Sequence, residues 1–105
     1  MKGIGASNPA PSKDIVIKAP DVAENGASVP IEISSRIPDT ESITILADRN
    51  PAPLIAIFHF VGGTEPYVST RIKLMESSNV RVIVKAADRN FIAVREVKVT
   101  LGGCA

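Results

Sequence analysis

Val80-Arg81-Val82-Ile83-Val84-Lys85-Ala86 is followed, after Ala87, by Asp88-Arg89-Asn90. Val80, Val82, Val84 and Ala86 recur at every second position, with Arg81 and Lys85 between them. That is the period of a strand with one buried face. Asp and Asn tolerate left-handed backbone, so Asp88-Arg89-Asn90 reads as a short hairpin loop. The strand after it carries a phase flip. Ile92 and Val94 share one parity, whereas Val97, Val99 and Leu101 have the other. A β-bulge near Arg95-Glu96 is expected to bring both sets to the core side.

The same period extends toward the N-terminus. Val68, Thr70, Ile72 and Leu74 alternate with Ser69, Arg71 and Lys73, and Glu76-Ser77-Ser78-Asn79 turns the chain. Leu54 to Phe60 is apolar on both faces except at His59. This suits a strand covered on two sides, or one whose second face meets a partner chain. Ile43, Ile45 and Ala47 form an inward face; so do Val29, Ile31 and Ile33. Pro30 has no N–H to donate, which puts its part of the strand at an edge or facing away from a ladder partner. Ile15-Val16-Ile17 is a short first strand. Turns are expected at Ala23-Glu24-Asn25-Gly26, Ile37-Pro38-Asp39-Thr40, Asp48-Arg49-Asn50-Pro51 and Val61–Pro66. No helical period appears. About seven short strands at near-regular spacing predict an all-β fold, an immunoglobulin-like antiparallel β-sandwich. The single cysteine makes it a disulfide-free one.

Composition bounds the rest. The chain has 105 residues, enough for one domain and one core. It is 45% hydrophobic but only 4% aromatic and has no Trp, so the core must be aliphatic. Twelve basic residues balance eleven acidic ones, and no basic stripe points to nucleic acid. No apolar stretch approaches the roughly 20 residues of a membrane helix. The expected organisation is a flexible Gly/Ser/Pro/Ala-rich leader over 1–13, the sandwich over 14–101, and a flexible arm over 102–105. The leader has no apolar h-region and is not a signal peptide.

The one cysteine, Cys104, sits behind Gly102 and Gly103. Free cysteines usually act as small buried hydrophobes, but this one is on a terminal tail that glycine leaves flexible. Three extended residues beyond Leu101 reach about 10 Å, enough to enter a pocket of another protein. The plainer reading is an idle thiol, or one that cross-links two chains. His59 is the only histidine and lies in an apolar strand, where a satisfied or partner-facing role outweighs a catalytic one. One Cys and one distant His do not supply a zinc site. A Cys/His nucleophile pair would need hydrogen-bond geometry that a tail does not hold. Gly62-Gly63 lacks the Lys-Ser/Thr of a phosphate loop. Asp39, Glu41, Asp48 and Glu65 lie in or beside turns, where carboxylates are ordinarily solvated, and Arg71 and Lys73 mark a solvent face. The residues point to no catalytic site, no metal and no cofactor.

Val97-Lys98-Val99-Thr100-Leu101-Gly102-Gly103-Cys104 closely resembles the carboxyl end of the SoxY family, the sulfur carriers of bacterial thiosulfate oxidation. Ala23-Glu24-Asn25-Gly26, Val29-Pro30-Ile31, Asn50-Pro51 and Gly63-Thr64-Glu65-Pro66-Tyr67-Val68-Ser69-Thr70-Arg71-Ile72-Lys73 resemble it too. The likeness runs from about Ile15 to Cys104. One position departs: the family tail usually continues with two glycines after the cysteine, and here Ala105 follows.

The resemblance implies an immunoglobulin-like fold and no catalysis by the chain itself. It implies that Cys104 carries sulfur intermediates covalently on the Gly102-Gly103 arm. A c-type cytochrome enzyme loads thiosulfate, a hydrolase releases sulfate, and a further enzyme oxidises the sulfane sulfur. A SoxZ-like subunit is the implied heterodimer partner, and the implied compartment is the periplasm, with the export signal absent from this sequence. Without that subunit a homodimer or higher oligomer is expected, through the Leu54–Phe60 run or the Gly63–Tyr67 loop. Two other readings compete: a structural β-sandwich module whose Cys104 forms an intermolecular disulfide, and a hydrolase using His59.

Overall fold

A computed structural model describes residues 9–62 and 64–100. Seven strands of four or more residues build two sheets. β2 (Ile15–Lys18), β4 (Val29–Ser35) and β7 (Tyr67–Ile72) form the smaller, in the order β2-β4-β7. β5 (Thr40–Ala47), β6 (Leu54–His59), β8 (Ser78–Ala86) and β9 (Arg89–Val99) form the larger, in the order β9-β8-β5-β6. Neighbours among these seven pair antiparallel. Placing the first, second and fifth long strands in one sheet and the rest in the other makes an immunoglobulin-like sandwich, with the fourth strand moved to the opposite sheet from its place in a constant domain. Two short segments, β1 (Ala10–Pro11) and β3 (Val22–Ala23), pair parallel with β9. Pairing therefore already begins at Ala10, within the stretch read as leader.

The core is aliphatic, as the composition requires. Ile31, Ile33, Ile43, Ile45, Val29, Val80, Val82, Val84 and Val97 are fully buried between the sheets. Each such side chain contributes about 1.5–3 kcal/mol of transfer free energy. The phenylalanines Phe58, Phe60 and Phe91 pack only around the edge of this cluster. Pro30 lies in the central strand of the smaller sheet. The β2 pairing stops at Lys18 beside Glu32, so at Pro30 the only ladder neighbour is Arg71 on β7.

Two local expectations need correction. The bulge near Arg95-Glu96 does not form: β8 and β9 stay in one register from Ala86↔Arg89 to Ser78↔Val97. Phe91, Ala93, Val97 and Val99 face the core, while Ile92 and Val94 lie on the opposite, outer face. Each apolar set has its own face, so no extra residue is needed to turn one of them. The hairpin loop is also tighter than expected. Ala86 pairs with Arg89, leaving Ala87 and Asp88 as the loop, with φ of 48° and 64°. Two positive-φ residues make the turn whose twist matches a hairpin, and this draws Arg89 and Asn90 into β9.

Candidate functional site: the root of the C-terminal arm

Cys104, Gly102 and Gly103 lie outside the described residues. The structure instead defines the root from which they extend. β9 would be an open edge of the larger sheet, a liability that folded chains usually cover. Here β1 covers it at Phe91–Ile92 and β3 at Lys98–Val99. Between them the Arg95 guanidinium donates to the Ala19 carbonyl at 2.8 Å and to the Asp21 carboxylate at 2.7 Å.

The last described stretch of backbone is tied by three hydrogen bonds, two on the β3 side and one on the other. Lys98 N–H donates to the Asp21 carbonyl at 2.9 Å and Thr100 N–H to the Ala23 carbonyl at 3.0 Å. Val99 N–H donates to Ser77 Oγ at 2.8 Å. Gly26 N-terminal to β4 accepts at its carbonyl from Leu74 N–H at 2.7 Å. The approach is so close that a Cβ on Gly26 would lie 2.4 Å from the Leu74 carbonyl oxygen and 3.0 Å from Val99 Cγ1. Asn25 closes the turn, accepting at Oδ1 from Ala27 N–H at 3.0 Å. Asn50 holds the facing loop: its Nδ2 donates to the Lys73 carbonyl at 2.8 Å, and its Oδ1 accepts from Met75 N–H at 3.0 Å. Val22 and Met75 stand exposed at this end of the molecule.

Ala23-Glu24-Asn25-Gly26 and Asn50-Pro51 read in the sequence as plain turns. In the structure both build the root. Their presence among the segments that carry the family resemblance was the available signal. The segment Thr64-Glu65-Pro66-Tyr67 lies at the other end. Its Pro66 carbonyl accepts from Ser35 N–H at 3.0 Å, and Tyr67 Oη donates to Glu32 at 2.9 Å. That hydrogen bond, aided by burial and by the carboxylate charges of Glu32 and Glu65, raises the Tyr67 phenol above its ordinary value. A groove of about 500 Å³ opens there between Ser35–Glu41 and the Phe60–Pro66 loop.

His59 is exposed on β6, in the row that runs through Ser42 and Lys85 to Asn90. Asn90 and Thr100 stand at opposite ends of β9, about 33 Å apart at strand rise. The four residues from Leu101 to Cys104 span at most about 14 Å. The geometry therefore rules out a Cys104–His59 pair within one chain. Among the described residues no three His, Cys, Asp or Glu side chains gather as metal ligands, and no helix is long and apolar enough to cross a membrane.

Comparison with known proteins agrees with this layout. A solved structure of the sulfur carrier protein SoxY from Chlorobium limicola f thiosulfatophilum is similar at 41% identity and a TM-score of 0.81, covering 90% of this chain and 87% of that one. A chain in a structure on T cell specificity and activation by the bacterial superantigen toxic shock syndrome toxin-1 has a TM-score of 0.55 at 14% identity, covering 82% of this chain and 99% of its own, and shares the fold alone. No curated protein matches. The family model for sulfur oxidation protein SoxY matches residues 2–104, so the chain belongs to the SoxY family.

Proposed function

We propose that the chain is a covalent carrier of sulfur intermediates in thiosulfate oxidation, with Cys104 as the attachment point and Gly102-Gly103 as its flexible arm. The match to the SoxY family over nearly the whole chain, through Cys104, carries this reading. A rigid root supports it: a tether works best when one end is fixed, and β9 is held on both sides up to Thr100.

Loading removes two electrons. The Cys104 thiolate and thiosulfate join through a new S–S bond, and a c-type cytochrome enzyme accepts the electrons. A hydrolase then adds water, cleaves off the terminal sulfone as sulfate and leaves a persulfide on the cysteine. A further enzyme accepts six electrons from the sulfane sulfur as three water oxygens turn it into a sulfonate, and a second hydrolysis releases that group as sulfate and frees the thiol. The chain supplies access and a nucleophile; its partners supply the chemistry. A SoxZ-like subunit completes the carrier, and the periplasm is its compartment.

Intact-mass measurement after incubation with thiosulfate and the partner enzymes tests the proposal. Adducts of sulfur and sulfonate mass are expected on the native chain and absent from Cys104→Ser. Adducts that persist in the variant would sink it. A chain that only forms a reducible dimer and never takes a load would instead favour the structural disulfide module.

A further inference from the structure

Asn25 is the one asparagine of the chain that is followed by glycine. It stands exposed in the turn between β3 and β4. Its Oδ1 accepts from Ala27 N–H at 3.0 Å, and its main-chain carbonyl accepts from Ser28 N–H at 3.2 Å. The first bond makes an Asx turn. The ring that it closes contains both the carboxamide carbon Cγ of Asn25 and the Gly26 nitrogen, so the side chain is folded back along the peptide that joins the two residues. A hydrogen bond at Oδ1 also draws electron density away from Cγ. Gly26 has no Cβ to shield its nitrogen, and among the described residues its N–H meets no acceptor.

The other asparagines lack this combination. Asn8 and Asn50 precede Pro9 and Pro51, whose nitrogens carry no hydrogen to lose. Asn50 also has both ends of its amide engaged, on Lys73 and Met75. Asn79 and Asn90 lie in β8 and β9, in register with Glu96 and Lys85. They are followed by the bulky Val80 and Phe91, and Asn90 is only 8% exposed.

We propose that Asn25 is a site of spontaneous covalent modification, through which the folded chain ages. Hydroxide takes the Gly26 amide proton, the nitrogen attacks Cγ, a C–N bond forms and ammonia leaves. The product is a cyclic imide. Water then opens it at one of two carbonyls. Attack at Cγ leaves aspartate. Attack at the main-chain carbonyl leaves isoaspartate, in which the chain runs through the side-chain methylene. Water replaces ammonia, and nothing is oxidised or reduced.

The two products act differently on the root of the arm. Aspartate keeps an oxygen for Ala27 N–H. Isoaspartate lengthens the main chain by a methylene immediately before Gly26, where there is no slack. The Gly26 carbonyl accepts from Leu74 N–H at 2.7 Å, and a Cβ on Gly26 would lie 2.4 Å from the Leu74 carbonyl oxygen. On the other side of Asn25, the Ala23 carbonyl holds Thr100 N–H at 3.0 Å. The added methylene pushes the Ala23 anchor and the Gly26–Leu74 contact apart, which loosens the end of β9.

The test holds the Cys104→Ser chain, which forms no disulfide, at mildly alkaline pH, both folded and in urea. Each asparagine is mapped by mass spectrometry of its tryptic peptide, and isoaspartate is read by enzymatic methylation. Asn25 is expected to exchange amide for acid in both states. In the folded chain it should do so about tenfold or more faster than Asn50, Asn79 or Asn90, as a group held close to its nucleophile. The isoaspartate form should melt at a lower temperature than the parent. Asn25→Asp should keep the parent's midpoint, and Asn25→Ser, whose hydroxyl can hold the same turn, should not lose midpoint on ageing. Conversion in urea alone overturns the proposal, because the fold then protects the residue. No conversion in either state, or faster conversion at another asparagine, does the same. Ageing of Asn25→Ser with an equal loss of midpoint places the damage elsewhere and overturns it too. An isoaspartate form with the parent's midpoint overturns the loosening of β9, as does a lowered midpoint in Asn25→Asp, which would assign the loss to charge. The peptide mapping needs neither variant to fold.

Discussion

Thr100 N–H donates to the Ala23 carbonyl at 3.0 Å, one residue past the point where β3 pairs with Lys98–Val99. The bond makes the end of β9 part of the sheet rather than the start of the tail. Ala23 is itself buried in the core cluster, so the anchor is set by packing as well as by hydrogen bonding.

Gly26 is where this anchor is most exposed to mutation. Gly26→Ala puts a methyl group against the Leu74 carbonyl oxygen and Val99 Cγ1, and backbone atoms give way poorly. The expected cost is about 1–3 kcal/mol, the range of overpacking in a tight site. Urea unfolding should show a lower midpoint at unchanged slope. An unchanged midpoint would mean that the close approach of Gly26 to Leu74 is not maintained in solution.

Tyr67 is the only tyrosine, and there is no tryptophan, so tyrosinate absorbance reports this one side chain. Its hydrogen bond to Glu32 first, then burial, raises the phenol above the ordinary value of 10.0. A folded value above the unfolded one means that the stabilisation is fully present below the unfolded value and is lost as pH rises through the folded one. Glu32→Gln removes the charge and should lower the titration midpoint. A midpoint that does not move would assign the shift to something other than Glu32.

Ala87 holds φ at 48° in the two-residue loop between β8 and β9. A side chain with a Cβ pays about 1–2 kcal/mol for left-handed backbone, and Asn is favoured at the first central position of such a turn. Ala87→Asn should stabilise the chain by about 1 kcal/mol and raise Tm by roughly 4–8 °C for a domain near this size. A fall in Tm would count against the turn as described.

Three oddities in the sequence share one cause. Leu54–Phe60 is apolar on both faces, Ile92 and Val94 are out of phase with Val97 and Val99, and Ile83 interrupts the polar positions of Arg81 and Lys85. The first reads as a strand covered on two sides or meeting a partner chain; within this chain Leu54 and Ile57 on its second face stand half-exposed. The second reads wrongly as a bulge, because a periodicity argument assumes that every apolar residue belongs to a single core. The register puts Ile57, Ile83 and Ile92 in one row on the outer face. A second apolar face satisfies the second and third; in the first it combines with a register shift between Ile45 and Leu46, which leaves Ile55 as an extra residue packed on the core.

Local patterning was enough for the class of fold and the aliphatic core, because period-2 alternation, turn residues and composition are properties of neighbours in the chain. The family resemblance was carried by short motifs in the same way. The root of the arm was not legible. Ala23, Gly26, Asn50, Leu74, Ser77 and Thr100 are far apart in the sequence, and each looks ordinary alone. Their connection depends on sheet order and register, which arise only when the two apolar faces pack. The same holds for the outer isoleucine row, whose members sit on separate strands and become one surface only once β6, β5, β8 and β9 lie side by side.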